Sequence, residues 1–171
     1  MKLQIPDFSK ARILVVGDLM LDRYWQGSTS RISPEAPVPV VHIKDTEARP
    51  AGAGNVALNI AALGTKVAVD GLVGKDEAGD LLASQLTGKN ITCLFKGQPD
   101  IATIIKLRVL SLHQQLIRLD FEDPINAEKN NDLVSRFKKH IRSEERRVGK
   151  EGKKRGEEEH ERQKQKKEKP K

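Results

Sequence analysis

The sequence predicts an α/β fold: a parallel sheet flanked by helices, with a small separate sheet beside it. Three stretches predict it. Ile13–Val16 is a short apolar run that stops at Gly17-Asp18, as a buried strand does when its C-terminal end carries polar groups. Pro50–Leu63, reading PAGAGNVALNIAAL, is a small-residue turn running into an apolar helix. Lys66–Val73 is a second strand, followed by a polar turn at Gly74–Gly79 and a helix over Glu77–Leu86. Strand, helix, strand, helix in that order argues for a parallel layer.

In open α/β sheets ligands sit beyond the carboxyl ends of the strands. Asp18 and Asp22 fall just past the first strand. Asp22 is the better candidate for a substrate contact, because one carboxylate accepts from two sugar hydroxyls. The plainer alternative for either is a loop or cap aspartate. Residues 27–37, GSTSRISPEAP, read as turn-rich, and Val38–Ile43 as an extended run that Pro37 and Pro39 confine to a sheet edge.

The Pro50–Leu63 stretch is the one around which the rest is arranged. Asn55 and Asn59 are four apart and share a face of the helix. The other faces are apolar or small, which predicts a buried helix, and Gly64 supplies its C-terminal stop. A glycine turn leading into a helix presents free N–H groups and a positive dipole end, suited to phosphate or a polyol. Close packing alone would also explain the glycines.

Ile91–Phe95 reads as a short strand, and Thr103–Leu110 with Gln114–Phe121 as a hairpin. On the hairpin Lys106 and Arg108 share one face, with Ile105, Leu107 and Val109 on the other. In the second arm Arg118 and Asp120 oppose Ile117, Leu119 and Phe121. The hairpin is placed beside Val38–Ile43 as a small sheet. Lys106, Arg108 and Arg118 are either an anion-binding face or an ordinary solvated one. Ala127–Ile141 is an amphipathic helix with Leu133, Phe137 and Ile141 at helical spacing.

After Arg142 the composition changes. The last 29 positions hold 12 Lys or Arg against 8 Asp or Glu, so +4 of the chain's +7 falls there, with Val148 as the sole aliphatic residue. Such a segment has no apolar face to bury and is expected to be disordered. It reads as a low-complexity extension unlike the rest of the chain. His160 has no second His or Cys near it, so no metal site is expected. The single cysteine, Cys93, excludes a disulfide framework and a cysteine-rich metal site. No apolar run approaches the ~20 residues that span a bilayer, and no signal peptide is recognised.

The strand followed by GDxxxD, the Gly-x-Gly-Asn-x-Ala turn, and ALG before a strand ending in Gly together resemble the N-terminal half of a ribokinase-like (PfkB) carbohydrate kinase. More narrowly, GDLMLDRYWQGSTSRISPEAPVPVV and KLRVLSLHQQLIRLDFE resemble the kinase domain of the bifunctional heptose-7-phosphate kinase / heptose-1-phosphate adenylyltransferases of Gram-negative bacteria. The resemblance covers about residues 5–141.

It implies a sugar held between a large α/β domain and a β-lid made of 38–43 and 103–121, with residues 1–142 as a truncated kinase domain and 143–171 as a tail. It places substrate contacts on Asp22, Gly52, Ala53 and Asn55, while the charged hairpin face adds Lys106 and Arg108. Relatives usually carry glycine where this chain has Ala51, and a methyl there costs strain if the position needs positive φ. The family's Asp-x-x-Gly-Ala-Gly-Asp catalytic turn, which supplies the base and the anion hole, has no match in the sequence. ATP and Mg²⁺ are cofactors of the intact family, and neither is expected to bind this chain well. No catalytic residue is assigned.

The expected function is therefore a fragment of a cytoplasmic kinase acting on D-glycero-D-manno-heptose 7-phosphate, inactive alone, with a homodimer through the lid as a further implication. The alternative is a basic-tailed protein that binds nucleic acid through 146–171. Against it, the tail's acids are interleaved with its bases, and no aromatic residue is there to stack on a base.

Overall fold

The Ile13–Val16 run forms strand β1 (Arg12–Val16). The run after Gly64 lies parallel to it, with Leu14 opposite Ala68 and Val16 opposite Asp70. The computed structural model describes residues 6–112, 114–124, 127 and 129–143. After β1 the chain order is β2 (Leu19–Ile32), β3 (Pro39–Gly52), α1 (Ala53–Ala62), β4 (Lys66–Asp70), α2 (Glu77–Thr87), β5 (Thr92–Cys93), β6 (Ile104–Ser111) and β7 (Gln114–Phe121). Two sheets result: a parallel one of order β1-β4-β5 and a mixed one of order β3-β2-β6-β7. In the mixed sheet β2 runs antiparallel to β3 and parallel to β6, and β6 runs antiparallel to β7.

The predicted β-α-β-α-β unit is present, with the β2–β3 hairpin inserted between its first strand and first helix. Leu19 and Leu21, at the start of that hairpin, are fully buried and join Val67 and Val69 of β4, Ala57 of α1, and Leu82 and Leu86 of α2 in one core. Burying each such leucine contributes about 1.5–3 kcal/mol. Helix α2 follows from local chemistry. Asp76 accepts from the Gly79 N–H as its N-cap, and Glu77 and Asp80 sit in the first turn beside the positive dipole end. Ala78, Leu82 and Leu86 then recur on the buried face.

Several expectations are corrected. Residues 27–32 are strand, because the GSTSRI segment is the far arm of a long hairpin that turns at 33–38. The edge strand extends to Gly52 instead of ending at Ile43, so Ala51 and Gly52 close β3 and the helix begins at Ala53. Strands β4 and β5 are shorter than the runs that predicted them.

Helix α1 is not buried all round. Ala53, Gly54 and Ala57 are buried, but Val56 is 48% and Leu63 59% exposed, and Asn55 and Asn59 face outward. One face of α1 packs on β3 and β4, and no second layer of described residues covers the other. Gly64, at φ +83°, ends the helix as expected.

Residues 130–143 form a second unit, a helix in which Arg136 pairs with Asp132 one turn earlier at 3.5 Å. The disorder expected of 143–171 falls outside the described residues, except that Ser143 is helical. His160 lies outside them too. Among the described residues no helix is long and apolar enough to cross a membrane.

Candidate functional site

Strand register assembles the site. Asp22 lies opposite Arg49 of β3 on one side and Lys106 of β6 on the other. Tyr24 lies likewise between Glu47 and Arg108. Directly opposed residues share a sheet face, so one face of the mixed sheet carries Asp22, Tyr24, Glu47, Arg49, Lys106 and Arg108. The Tyr24 ring is flanked by two guanidinium groups, those of Arg49 and Arg108, each 5.3 Å from its centroid.

A cleft of about 730 Å³ opens where this face meets the start of α1 and the end of α2. Asp22, Tyr24, Arg49, Gly52 and Asn55 line it, together with Leu58, Gln85 and Lys89. Gly52 holds φ +58° and ψ −130°, and a Cβ added there would meet the Asp18 carbonyl oxygen at 2.3 Å, so only glycine fits this turn. No side chain caps the N-terminus of α1, and its first turn contains no acid, which leaves the positive end of the helix beside the cleft. Ala51 is buried and does not have positive φ, so the strain considered for its methyl group does not arise.

Of the six residues expected from the sequence, Asp22, Gly52 and Asn55 meet in this cleft. Ala53 is buried behind it, and its N–H donates to the Asp18 carbonyl at 2.9 Å. Arg108 places Nη1 2.8 Å from Asp22 Oδ1. Both atoms are shut off from solvent, and the N–H is not aligned on the oxygen, so the contact is an ion pair more than a directed hydrogen bond. The adjacent Asp22 carboxylate raises the Arg108 pKa further above its ordinary value. Lys106 is held by Glu122 at 2.8 Å and Asp120 at 3.3 Å, which raises its pKa. Asp120 also takes Arg118 at 2.8 Å, and that hydrogen bond is the main cause of its lowered pKa. The anion-binding face expected on the hairpin is thus largely neutralised by its own acids.

Tyr24, Arg49, Gln85 and Lys89 were not singled out from the sequence. The signal for Arg49 and Tyr24 is their pairing register with Asp22 and Glu47, and that depends on the β2–β3 hairpin, of which the sequence shows only the Val38–Ile43 strand, residues 27–37 reading as turns. Gln85 is fixed by donating from Nε2 to the Ala48 carbonyl at 3.0 Å. Among the described residues no group of three or more His, Cys, Asp or Glu is placed to hold a metal ion.

The family model described as "pfkB family carbohydrate kinase" matches residues 10–145. The chain is 59% identical to the bifunctional protein HldE of Alkalilimnicola ehrlichii over 81% of its own length and 29% of the relative's. It is 60% identical to the HldE of Nitrosococcus oceani over 70% of its length and 25% of the relative's. It therefore spans under a third of the curated relatives it matches.

Among solved structures, a carbohydrate kinase from Agrobacterium tumefaciens superposes with a TM-score of 0.54 at 23% identity, over 65% of this chain and 35% of that one. The ribokinase of Cryptococcus neoformans, solved in complex with ADP, gives 0.50 at 18% identity, over 68% and 38%. These two show a shared fold, and the family match over most of the sequence goes further: the chain belongs to the pfkB family of carbohydrate kinases.

Proposed function

We propose that this chain is the sugar-binding portion of an ATP-dependent kinase that phosphorylates D-glycero-D-manno-heptose 7-phosphate at the anomeric hydroxyl, in the cytoplasmic synthesis of ADP-heptose for lipopolysaccharide core. The observation that carries this reading is the convergence of Asp22, Gly52 and Asn55 on one cleft. The high identity to HldE proteins supports the choice of sugar. In this reading Asp22 accepts from two sugar hydroxyls, Asn55 reads a third, and the bare glycine turn lets the ring approach the backbone. The mixed sheet serves as the lid, and residues 1–142 constitute the kinase portion.

In the intact family ATP and Mg²⁺ supply the phosphoryl group and neutralise its charge. The residues present do not fit them. The N-terminus of α2 is already occupied by Asp76, which accepts from the Gly79 N–H and from both the N–H and the hydroxyl of Thr103. The sequence contains no Asp-x-x-Gly-Ala-Gly-Asp turn. The chain alone is therefore assigned sugar binding without turnover. Strand β7 is the outer strand of the lid sheet and all its residues are exposed, which supports self-association at that edge.

The reading is tested by calorimetric titration of the chain with heptose 7-phosphate, and by coupled ADP release measured in parallel on an intact HldE relative. Binding without ADP release by this chain, and its loss in Asp22→Asn, is the expected result. Turnover at the relative's rate would place a base among these residues and overturn it.

A further inference from the structure

We propose that Thr103 and Asp76, which do not line the cleft, are positioning residues for Asp22: they lock the register of β6 against β2 and so hold Arg108 on the Asp22 carboxylate. Their part at the cleft rests on the reading of Asp22 as a sugar contact. The register lock stands apart from that reading.

A hairpin draws its register from its turn. Strands β2 and β6 are parallel and share no turn, since β3, α1, β4, α2 and β5 all lie between them in the chain. Burial supplies only part of their register. Leu107 is 4% exposed, and a one-residue slip of β6 would turn it to the opposite face. A slip of two residues, roughly 6.6 Å, keeps the same face inward. In the present register Lys106 lies opposite Asp22 and Arg108 opposite Tyr24. The two-residue slip toward Gln26 would put Ile104 opposite Asp22 and carry Arg108 away from the carboxylate.

A fixed start to β6 forbids that slip. Thr103 immediately precedes the strand and is 2% exposed. Its N–H donates to Asp76 Oδ2 at 2.8 Å and its hydroxyl to Asp76 Oδ1 at 2.7 Å, while the hydroxyl accepts from the Gly74 N–H at 2.9 Å. Asp76 is itself fixed as the N-cap of α2. The knot is closely packed: a Cβ on Gly74 would meet the Ile101 carbonyl oxygen at 2.6 Å, and one on Gly79 the Gly74 carbonyl oxygen at 2.5 Å. The same helix also reaches the other two strands. Glu77 pairs with Arg23 of β2, and Gln85 donates to the Ala48 carbonyl of β3. Helix α2 is therefore a common reference for β3, β2 and β6, and the Asp76–Thr103 bonds are its tie to the strand that carries Arg108.

The test is hydrogen exchange on the full chain carrying Thr103→Val, which keeps the side-chain shape and loses the hydroxyl, and Thr103→Ser, which restores it. In Thr103→Val the amides joining β2 to β6 should exchange at least tenfold faster, with the Val67–Val69 amides unchanged. Thr103→Ser should return them to the wild-type rate. The Asp22–Arg108 coupling, measured by a double-mutant cycle in urea, should fall to less than half in the Thr103→Val background and stay whole beside the core change Ile91→Val. Asp76→Asn, which keeps one acceptor oxygen of two, replaces Thr103→Val if that variant does not fold. Faster exchange spread evenly over both sheets, or a coupling that survives intact, overturns the register lock. Calorimetric titration with heptose 7-phosphate reads the consequence at the cleft: affinity should drop several-fold in Thr103→Val and recover in Thr103→Ser. Unchanged affinity overturns the positioning role. No binding by the wild-type chain overturns the sugar reading and that role with it, and leaves the register lock to be decided by exchange.

Discussion

Arg108 reaches from β6 to Asp22 of β2 and holds its carboxylate at 2.8 Å, with about a fifth of each side chain exposed. The pair joins two strands that meet only because the whole βαβ unit lies between them in sequence. It also holds the candidate sugar-binding carboxylate in place. Arg108→Met should therefore destabilise the chain by about 1–3 kcal/mol, because it strands a partly buried charge. The same change made in an Asp22→Asn background should cost less, with a coupling of about 1 kcal/mol or more in urea denaturation. Strict additivity would show that the two charges do not support one another.

Gly52 cannot accept a side chain. Gly52→Ala should lose about 1–3 kcal/mol from backbone strain, with a further loss from the contact with the Asp18 carbonyl. Ala51→Gly, one residue earlier in an ordinary strand conformation, should cost no more than about 1 kcal/mol. Chemical denaturation of the two variants side by side checks the contrast, and equal losses would refute it.

Asp76 ties α2 to the start of β6. Burial pushes its pKa up, but the Thr103 N–H and hydroxyl, the Gly79 N–H and the nearby Arg23 charge outweigh burial and hold it below the ordinary 3.8. A carboxyl with a lowered pKa in the folded state contributes stability above its unfolded value, and that contribution is lost as pH falls through the folded value. Acid unfolding should therefore begin below about pH 4 in the wild-type chain. Asp76→Asn should be less stable at pH 7 by about 1 kcal/mol and should show a flatter stability profile between pH 5 and pH 3. Unchanged steepness in circular dichroism acid titrations would remove Asp76 from the account.

Ile117, Leu119 and Phe121 form an apolar row on β7, each 40–54% exposed. Leu119→Lys with Phe121→Lys should shift the chain toward monomer in sedimentation velocity, if the lid edge is where copies meet. An unchanged distribution would move the contact elsewhere.

The parallel layer was legible because its elements depend on local signals. Ile13–Val16 stops at Gly17-Asp18, Asp76 caps α2, and Gly64 closes α1. The lid strand β2 was not legible. Its outer half, Gly27–Ile32, is polar and half-buried to exposed, and beyond Gly27 it is held by cross-strand pairing with β3 alone instead of by burial, so neither alternation nor β-propensity marks it. The candidate site divides the same way. Asp22, Gly52 and Asn55 follow from turn chemistry and family likeness. Arg49 and Lys89 are brought in by strand register and by the end of α2, which sequence spacing does not show. The outward face of α1 was misjudged because an apolar helix reads as buried whether or not the chain itself supplies a cover.

The parallel pairing of β2 with β6 sets an order of events. Met20 must wait for Ile104, and the intervening chain has to form α1, β4, α2 and β5 before that partner is in reach. Closing so long a loop is slow and becomes favourable only once the intervening unit has condensed. The β2–β3 hairpin, a local contact, forms early and leaves one side of β2 open until β6 arrives. Pulse-labelled hydrogen exchange during refolding should accordingly protect the Val67–Val69 amides before those that join β2 to β6. The binding face would then be the last part of the molecule to assemble, and on a ribosome it would stay incomplete until the residues after Ser111 had emerged.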